Sequence, residues 1–250
     1  MLKEIRKIKL KTDNLQSEGL LFIPDKSESH YCGIFTHGYT SHKGSILTWA
    51  QKTIDLGIPC IIFDLPGHYL GSFNEVPDLK TFQIEAANLF EESFQTAKNV
   101  IPRIETCIAG GHSLGALLAL LKSFDSEHIE HLICVGLGSL KSEKPHIFTT
   151  PFFKDTMHLR SQLVSPSIHP NLILPWISKK KEGFLTKNKE IHLIGGKDDI
   201  IIGGENGIKN MADRLKKHND VDTHIFPKLP HHLPENAGLY IKNIIKNIVK

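Results

Sequence analysis

Residues 105–123 read Glu-Thr-Cys-Ile-Ala-Gly-Gly-His-Ser-Leu-Gly-Ala-Leu-Leu-Ala-Leu-Leu-Lys-Ser. A short apolar run leads into a glycine-framed serine, and an alanine- and leucine-rich stretch of helical composition follows. The frame is Gly111-His112-Ser113-Leu114-Gly115, a G-x-S-x-G. With a strand before it and a helix after it, this spacing predicts a sharp turn whose small residues at 111 and 115 let strand and helix approach closely. Such a turn strains the backbone at Ser113, lifts its hydroxyl clear of the sheet and sets it at the positive end of a helix. An alcohol held that way needs only a base to become a nucleophile.

Outward from this turn the chain alternates. Apolar runs at 31–36, 58–64, 106–110, 131–136, 190–195 and 221–226 predict strands, and stretches at 44–56, 79–99, 113–123, 204–218 and 235–249 predict helices. The 79–99 stretch carries Phe82, Ala86, Leu89, Phe90 and Phe94 on one side. Strands that are apolar throughout and alternate with helices imply an α/β architecture, a mostly parallel sheet covered on both faces. Two opening segments, near 4–11 and 17–24, predict antiparallel strands joined by a turn at Asp13-Asn14.

The alternation stops once, between 136 and 190. Prolines punctuate this stretch at 145, 151, 166, 170 and 175, and its apolar residues include Phe148, Phe152, Leu163, Ile173 and Trp176. So long an excursion is usually functional. It predicts a small helical cap over about 140–187, inserted above the carboxyl ends of the strands in an otherwise single domain spanning 1–250.

Composition narrows the function classes. The chain has 250 residues, 40% hydrophobic and 23% charged, with a net charge of +3, as expected of a globular domain with a sizeable core. No basic stripe with interleaved aromatics accompanies the charge, which argues against a nucleic-acid partner. The amino terminus lacks an unbroken apolar run and no stretch is long enough to span a bilayer, so a cytoplasmic location is expected. Cys32, Cys60, Cys107 and Cys134 each fall in a separate strand-like run, where thiols behave as small hydrophobes rather than disulfide partners or zinc ligands. The 15 histidines are dispersed. His128 and His131 are close together without companion ligands, so no metal is expected.

A serine nucleophile needs a base, and the base needs an orienting acid at the same edge of the sheet. The 190–195 strand is followed by Gly196-Lys197-Asp198-Asp199-Ile200, two adjacent carboxylates. The 221–226 strand is followed by Pro227-Lys228-Leu229-Pro230-His231-His232-Leu233-Pro234, two adjacent histidines on a proline-fixed loop. Chain order is therefore Ser, Asp, His, and the choice within each doublet stays open. The 31–36 strand ends in Thr36-His37-Gly38-Tyr39-Thr40-Ser41. Gly38 lets that turn aim the Tyr39 amide at a reacting carbonyl, and the Leu114 amide at the helix start supplies a second donor for the developing oxyanion.

Together these motifs resemble the α/β-hydrolase fold superfamily from residue 31 to the carboxyl terminus, with only the cap poorly matched. His37-Gly38 is similar to the family's oxyanion turn, Asp64-Leu65-Pro66-Gly67-His68 to its D-x-x-G-H loop, and Gly111–Gly115 to its nucleophile elbow. The family's G-x-x-D pattern, read from Gly196, selects Asp199; its late G-H loop selects His232, with His231 where glycine usually stands. Tyr69 also departs from the family, in which glycine is common at that place. The resemblance implies a Ser113–His232–Asp199 triad, an oxyanion hole of Tyr39 and Leu114, and substrate contacts at Gly38, Trp176 and Phe152. His37, Asp64, His68 and His112 are expected to be structural, and Asp198 a solvated neighbour.

The small intracellular carboxylesterases, those acting on hydroxycinnamoyl esters included, share this turn and modest cap. That likeness implies hydrolysis of esters with short to medium or aromatic acyl groups through an acyl-enzyme, without a cofactor. Arg160 is the lone arginine of the cap, which argues against a bidentate clamp for a carboxylate. A thioesterase or serine peptidase would use the same triad, and a non-catalytic ligand-binding homologue would share the fold. Oligomeric state is not legible.

Overall fold

The computed structural model describes residues 1–139, 151–183 and 185–250, and only the backbone of 151–154. Eight strands form one sheet: β1 (Leu2–Lys11), β2 (Gln16–Pro24), β3 (Tyr31–Thr36), β4 (Cys60–Phe63), β5 (Thr106–His112), β6 (Ile129–Val135), β7 (Glu190–Gly196) and β8 (Asp220–Phe226). Their order is β1-β2-β4-β3-β5-β6-β7-β8. The first two strands form the expected hairpin and β2 also runs antiparallel to β4; every other pairing is parallel.

Register decides where the chemistry can sit. Thr36 lies opposite Gly111, His112 opposite Val135, and Gly196 opposite Phe226. The carboxyl ends of β3, β5, β6, β7 and β8 therefore share one rim, and the loops that follow them meet there.

Helices cover both faces. On one face α1 (Leu47–Ile54) and α8 (Gly238–Ile248) enclose a core of Phe35, Trp49, Ile62, Ile133, Ile194 and Ile241. On the other, α2 (Leu79–Glu85), α3 (Leu89–Val100), α4 (Leu114–Ser123), α6 (Pro170–Glu182) and α7 (Gly204–Leu215) close over Phe63, Phe90, Leu117, Leu132, Leu193 and Met211. Strands buried on both sides read as unbroken apolar runs for this reason. The stretch 79–99 is not one helix: a 3-10 turn at Ala86–Asn88 divides it. At the break, the Glu85 carboxylate accepts hydrogen bonds from Thr12 Oγ1 (2.6 Å), Asn14 N (2.8 Å) and Asn14 Nδ2 (2.6 Å), and so pins the β1–β2 turn.

Between β6 and β7, α5 (Pro151–Ser161), a 3-10 turn (Pro166–Ile168) and α6 occupy the stretch expected to form a cap; 140–150 lie outside the described residues. The four cysteines are free and buried. His128 stacks on Phe94 at 4.1 Å, and His131 and His192 both face the Glu190 carboxylate. Among the described residues no group of three or more His, Cys, Asp or Glu is arranged to hold a metal ion, and no helix is long and apolar enough to cross a membrane.

Replacing Glu85 by Ala removes the acceptor that Thr12 and Asn14 share and is expected to cost about 1 kcal/mol, read as a lower urea midpoint at unchanged slope. An unchanged midpoint would show that the carboxylate does not hold the hairpin.

Candidate active site

Ser113 follows β5 directly and is the only residue from Cys107 to Leu120 that is not buried. Its backbone sits at φ 50°, ψ −104°, a conformation that L-residues rarely adopt. Surroundings hold it there: Ser113 N–H donates to Val135 O (2.8 Å), and Leu117 N–H donates to Ser113 O (3.1 Å). A side chain at Gly111 would lie 2.6 Å from Thr36 O, and one at Gly115 would lie 2.6 Å from Thr36 O and 2.7 Å from His37 O. Only hydrogen fits at either place, so the strand and the first turn of α4 close directly onto the end of β3.

The turn after β3 is locked through His37. Leu65 N–H donates to His37 Nε2 (2.9 Å), so the ring proton is on Nδ1, which donates to Gly38 O (2.8 Å). Within the trans Gly38–Tyr39 peptide, the carbonyl and N–H point in opposite directions. Fixing the carbonyl therefore aims the Tyr39 N–H away from His37. Ser41 N–H also donates to Gly38 O (3.2 Å), and Thr40 takes a positive φ of 59°. Among the described residues neither the Tyr39 nor the Leu114 amide has a hydrogen-bond acceptor; Leu114 opens α4, and the start of a helix leaves its first N–H groups free.

Asp199 is 2% exposed. Its Oδ1 accepts from the Ile201 (3.2 Å) and Ile202 (3.4 Å) amides, and its Oδ2 lies 2.8 Å from His231 Nδ1. The histidine that pairs with Asp199 is thus His231, whereas the family pattern selects His232. The loop explains it. Leu229 is buried and its N–H donates to Asp198 Oδ1 (2.8 Å), while Leu233 N–H closes a turn onto Pro230 O (3.1 Å). Beyond the turn, Pro234 O accepts from Trp49 Nε1 (2.8 Å) and Glu235 O from Thr48 Oγ1 (3.0 Å). With both ends tied down, the two corner residues point opposite ways: His231 faces Asp199, and His232 is exposed. Asp198, expected to be merely solvated, is the bracket that holds this loop.

His112 connects the two halves. Its ring centroid lies 4.5 Å from that of His231, and its Nδ1 would lie 2.5 Å from a Cβ at Gly38, which confines that position to glycine. A small crevice beside the pair is lined by His112, Gly136, Asp199, Leu229, His231 and Pro234. Burial, reinforced by the neighbouring His231 and His37, holds His112 well below the ordinary histidine range. Burial likewise pushes His37 down to about 3 and His68 down to about 4. All three rings are therefore neutral near pH 7. Asp64 is structural as expected: its Oδ1 accepts from Lys43 N (2.7 Å), and its Oδ2 pairs with the Lys43 ammonium and accepts from Ser72 Oγ (3.1 Å).

The segment after α5 is stitched to these loops. Val164 bridges His68, Tyr69 N–H donates to Leu163 O (2.9 Å), Ser165 N–H to Gly67 O (2.9 Å), and the Tyr39 hydroxyl to Ile168 O (2.8 Å). Trp176 is 8% exposed and meets the Phe82 ring edge-on at 6.3 Å. Phe152 lies in the first turn of α5, and its side chain is outside the described residues.

No protein-family model matches the chain, and no curated protein sequence matches it. Solved structures do. A carboxyl esterase from Bacillus coagulans superposes with a TM-score of 0.71 at 13% identity, over 99% of this chain and 100% of that one. The Pyrococcus furiosus esterase Pf2001 gives 0.66 at 16% identity, over 99% and 94%. Est1E from Butyrivibrio proteoclasticus gives 0.64 at 15% identity, over 98% and 99%.

The buried neutral histidines carry a pH signature. When the chain unfolds, these rings regain an ordinary pKa near 6.5 and take up protons, so stability falls as pH drops below that value and keeps falling to about pH 4. The expected slope is up to about 1.4 kcal/mol per pH unit for each ring. Urea midpoints at pH 7, 6 and 5 measure it, and a flat series would mean that the rings are not held neutral.

Proposed function

We propose that this chain, which has the α/β-hydrolase fold, is a serine hydrolase that cleaves carboxylic esters of short to medium or aromatic acyl groups. One observation carries the proposal. Ser113 is the one residue from 107 to 120 that is not buried, on a strained turn at the head of a helix, with an aspartate-bound histidine packed against the residue before it. A bland glycine turn needs neither the positive φ nor the His231–Asp199 pair. The names of the solved structures it resembles, among them esterases and a lipase, support the same chemistry.

In this reading Asp199 holds the proton of His231 on Nδ1, which leaves the Nε2 lone pair as the base. His231 Nε2 takes the Ser113 proton as Oγ attacks the ester carbonyl. The tetrahedral oxygen is received by the Tyr39 and Leu114 amides, each worth roughly 3–4 kcal/mol of barrier where such donors have been removed in other enzymes. His231 then delivers the proton to the departing alkoxide, and water hydrolyses the acyl-enzyme by the same route in reverse order. The amides and the imidazole are fixed before substrate arrives, by His37, Asp198 and Trp49. The described part of the expected cap, 151–183, is proposed to cover this site, with Trp176 contributing to its acyl pocket. No step calls for a metal or an organic cofactor.

A fluorophosphonate probe should label Ser113 alone, located by mass spectrometry against Ser113→Ala. With a chromogenic ester, His231→Ala is expected to lower kcat by about 10³-fold or more, while His232→Ala stays within about threefold of wild type. Equal losses in the two variants would sink the assignment of the base. A folded wild type that is not labelled and turns over no ester would favour a ligand-binding protein on the same fold.

A further inference from the structure

Arg160, in the last turn of α5, reaches back to the oxyanion turn. Its Nη1 donates to Oγ1 of Thr40, the residue after Tyr39, in a partly buried contact. The same guanidinium opposes the upward push that burial gives the Tyr39 phenol, so it lies near that ring as well. No Asp or Glu among the described residues pairs with it, and the neutral Thr40 hydroxyl is its hydrogen-bond partner. Lys43, three residues after Thr40, is already paired with Asp64.

Among the described residues this partly buried guanidinium has a neutral hydroxyl and no carboxylate as partner, so its charge is left without a counter-ion there. Arginine presents five N–H donors in a planar fork matched to a carboxylate, and one contact with Thr40 leaves most of them available. The rings beside Tyr39 add no charge, because burial keeps His37 and His68 neutral and Tyr39 donates its hydroxyl proton to Ile168 O. The cation thus stands beside the turn proposed to receive the oxyanion, within about 10 Å of the Tyr39 amide by chain geometry.

We propose that Arg160 binds a carboxylate of the substrate, so that the preferred esters are anionic and carry that carboxylate a few atoms from the scissile carbonyl. This rests on the esterase reading of Ser113 and narrows its substrate class. It also revises the expectation drawn from the scarcity of arginine. Composition counts cations, whereas the fold brings this one to the oxyanion turn with no counter-ion among the described residues.

The test compares kcat/KM for matched pairs: 4-nitrophenyl hemiadipate against 4-nitrophenyl hexanoate, with the charge on the acyl side, and 4-acetoxybenzoate against phenyl acetate, with the charge on the alcohol side. Wild type should prefer the anionic member of at least one pair by about tenfold or more, mostly through KM. Arg160→Met should abolish that ratio, Arg160→Lys should keep part of it, and about 0.5 M salt should shrink it in wild type. Because the readout is a ratio, a general loss through the Thr40 contact does not mimic the effect. No anionic preference in either pair, or a preference that survives in Arg160→Met, overturns the role of Arg160 while turnover of the neutral esters continues. If no ester is turned over and Ser113 is not labelled, the esterase reading falls with it.

Discussion

The contact on which the rest of the molecule depends is the closure of the β5–α4 turn onto the end of β3, where the chain at Gly111 and Gly115 lies against the Thr36 and His37 carbonyls. Backbone packed on backbone leaves no room for adjustment by side-chain rotation. Ser113 is therefore held in a strained conformation by its neighbours rather than by its own preference. The same closure brings the turn that follows β3 beside the start of α4. Two amides from distant parts of the chain, Tyr39 and Leu114, thereby meet at one rim. The large buried surfaces on both sides of the sheet make such local strain affordable.

Around that rim the protein stores almost no mobile charge. His37, His68 and His112 are buried and neutral, and each serves by geometry. His37 fixes the plane of a peptide, His68 packs edge-on against His37 and Tyr39, and His112 wedges between Gly38 and His231. The buried carboxylates, Asp64 and Asp199, are both engaged by backbone amides and a basic side chain. An environment this poor in competing dipoles strengthens every remaining electrostatic interaction.

Much of this was legible in the chain. Unbroken apolar runs at 31–36, 106–110 and 190–195 announced parallel strands because burial on both faces removes the polar alternation that half-buried strands show. The rim positions of Ser113 and Asp199 could be read because each follows a strand in a recognisable glycine frame. His231 could not be separated from His232, since their difference is the direction of a turn set by Leu229, Pro234 and the bracket from Asp198. The groups that tether the ends of that turn, Asp198, Trp49 and Thr48, lie on other elements, beyond the reach of local pattern. The break at Ala86–Asn88 was hidden for the same reason: the helical periodicity continues across it, and the interruption coincides with the tertiary engagement of Glu85 by Thr12 and Asn14. Arg160 was visible only as a count of one.

The hairpin that opens the chain leaves β1 at one border of the sheet, with its outer hydrogen-bonding groups unpaired by any other strand among the described residues. Such a border invites a second molecule to add a strand to it. Here it is written as Lys3, Arg6, Lys7, Lys9 and Lys11 along ten residues, with Glu4 the single acid. Two copies aligned edge to edge would set basic side chains against basic side chains all along the seam. The opening strand thus seals the sheet against its own duplication, a protection against aggregation built into the part of the chain furthest from the chemistry.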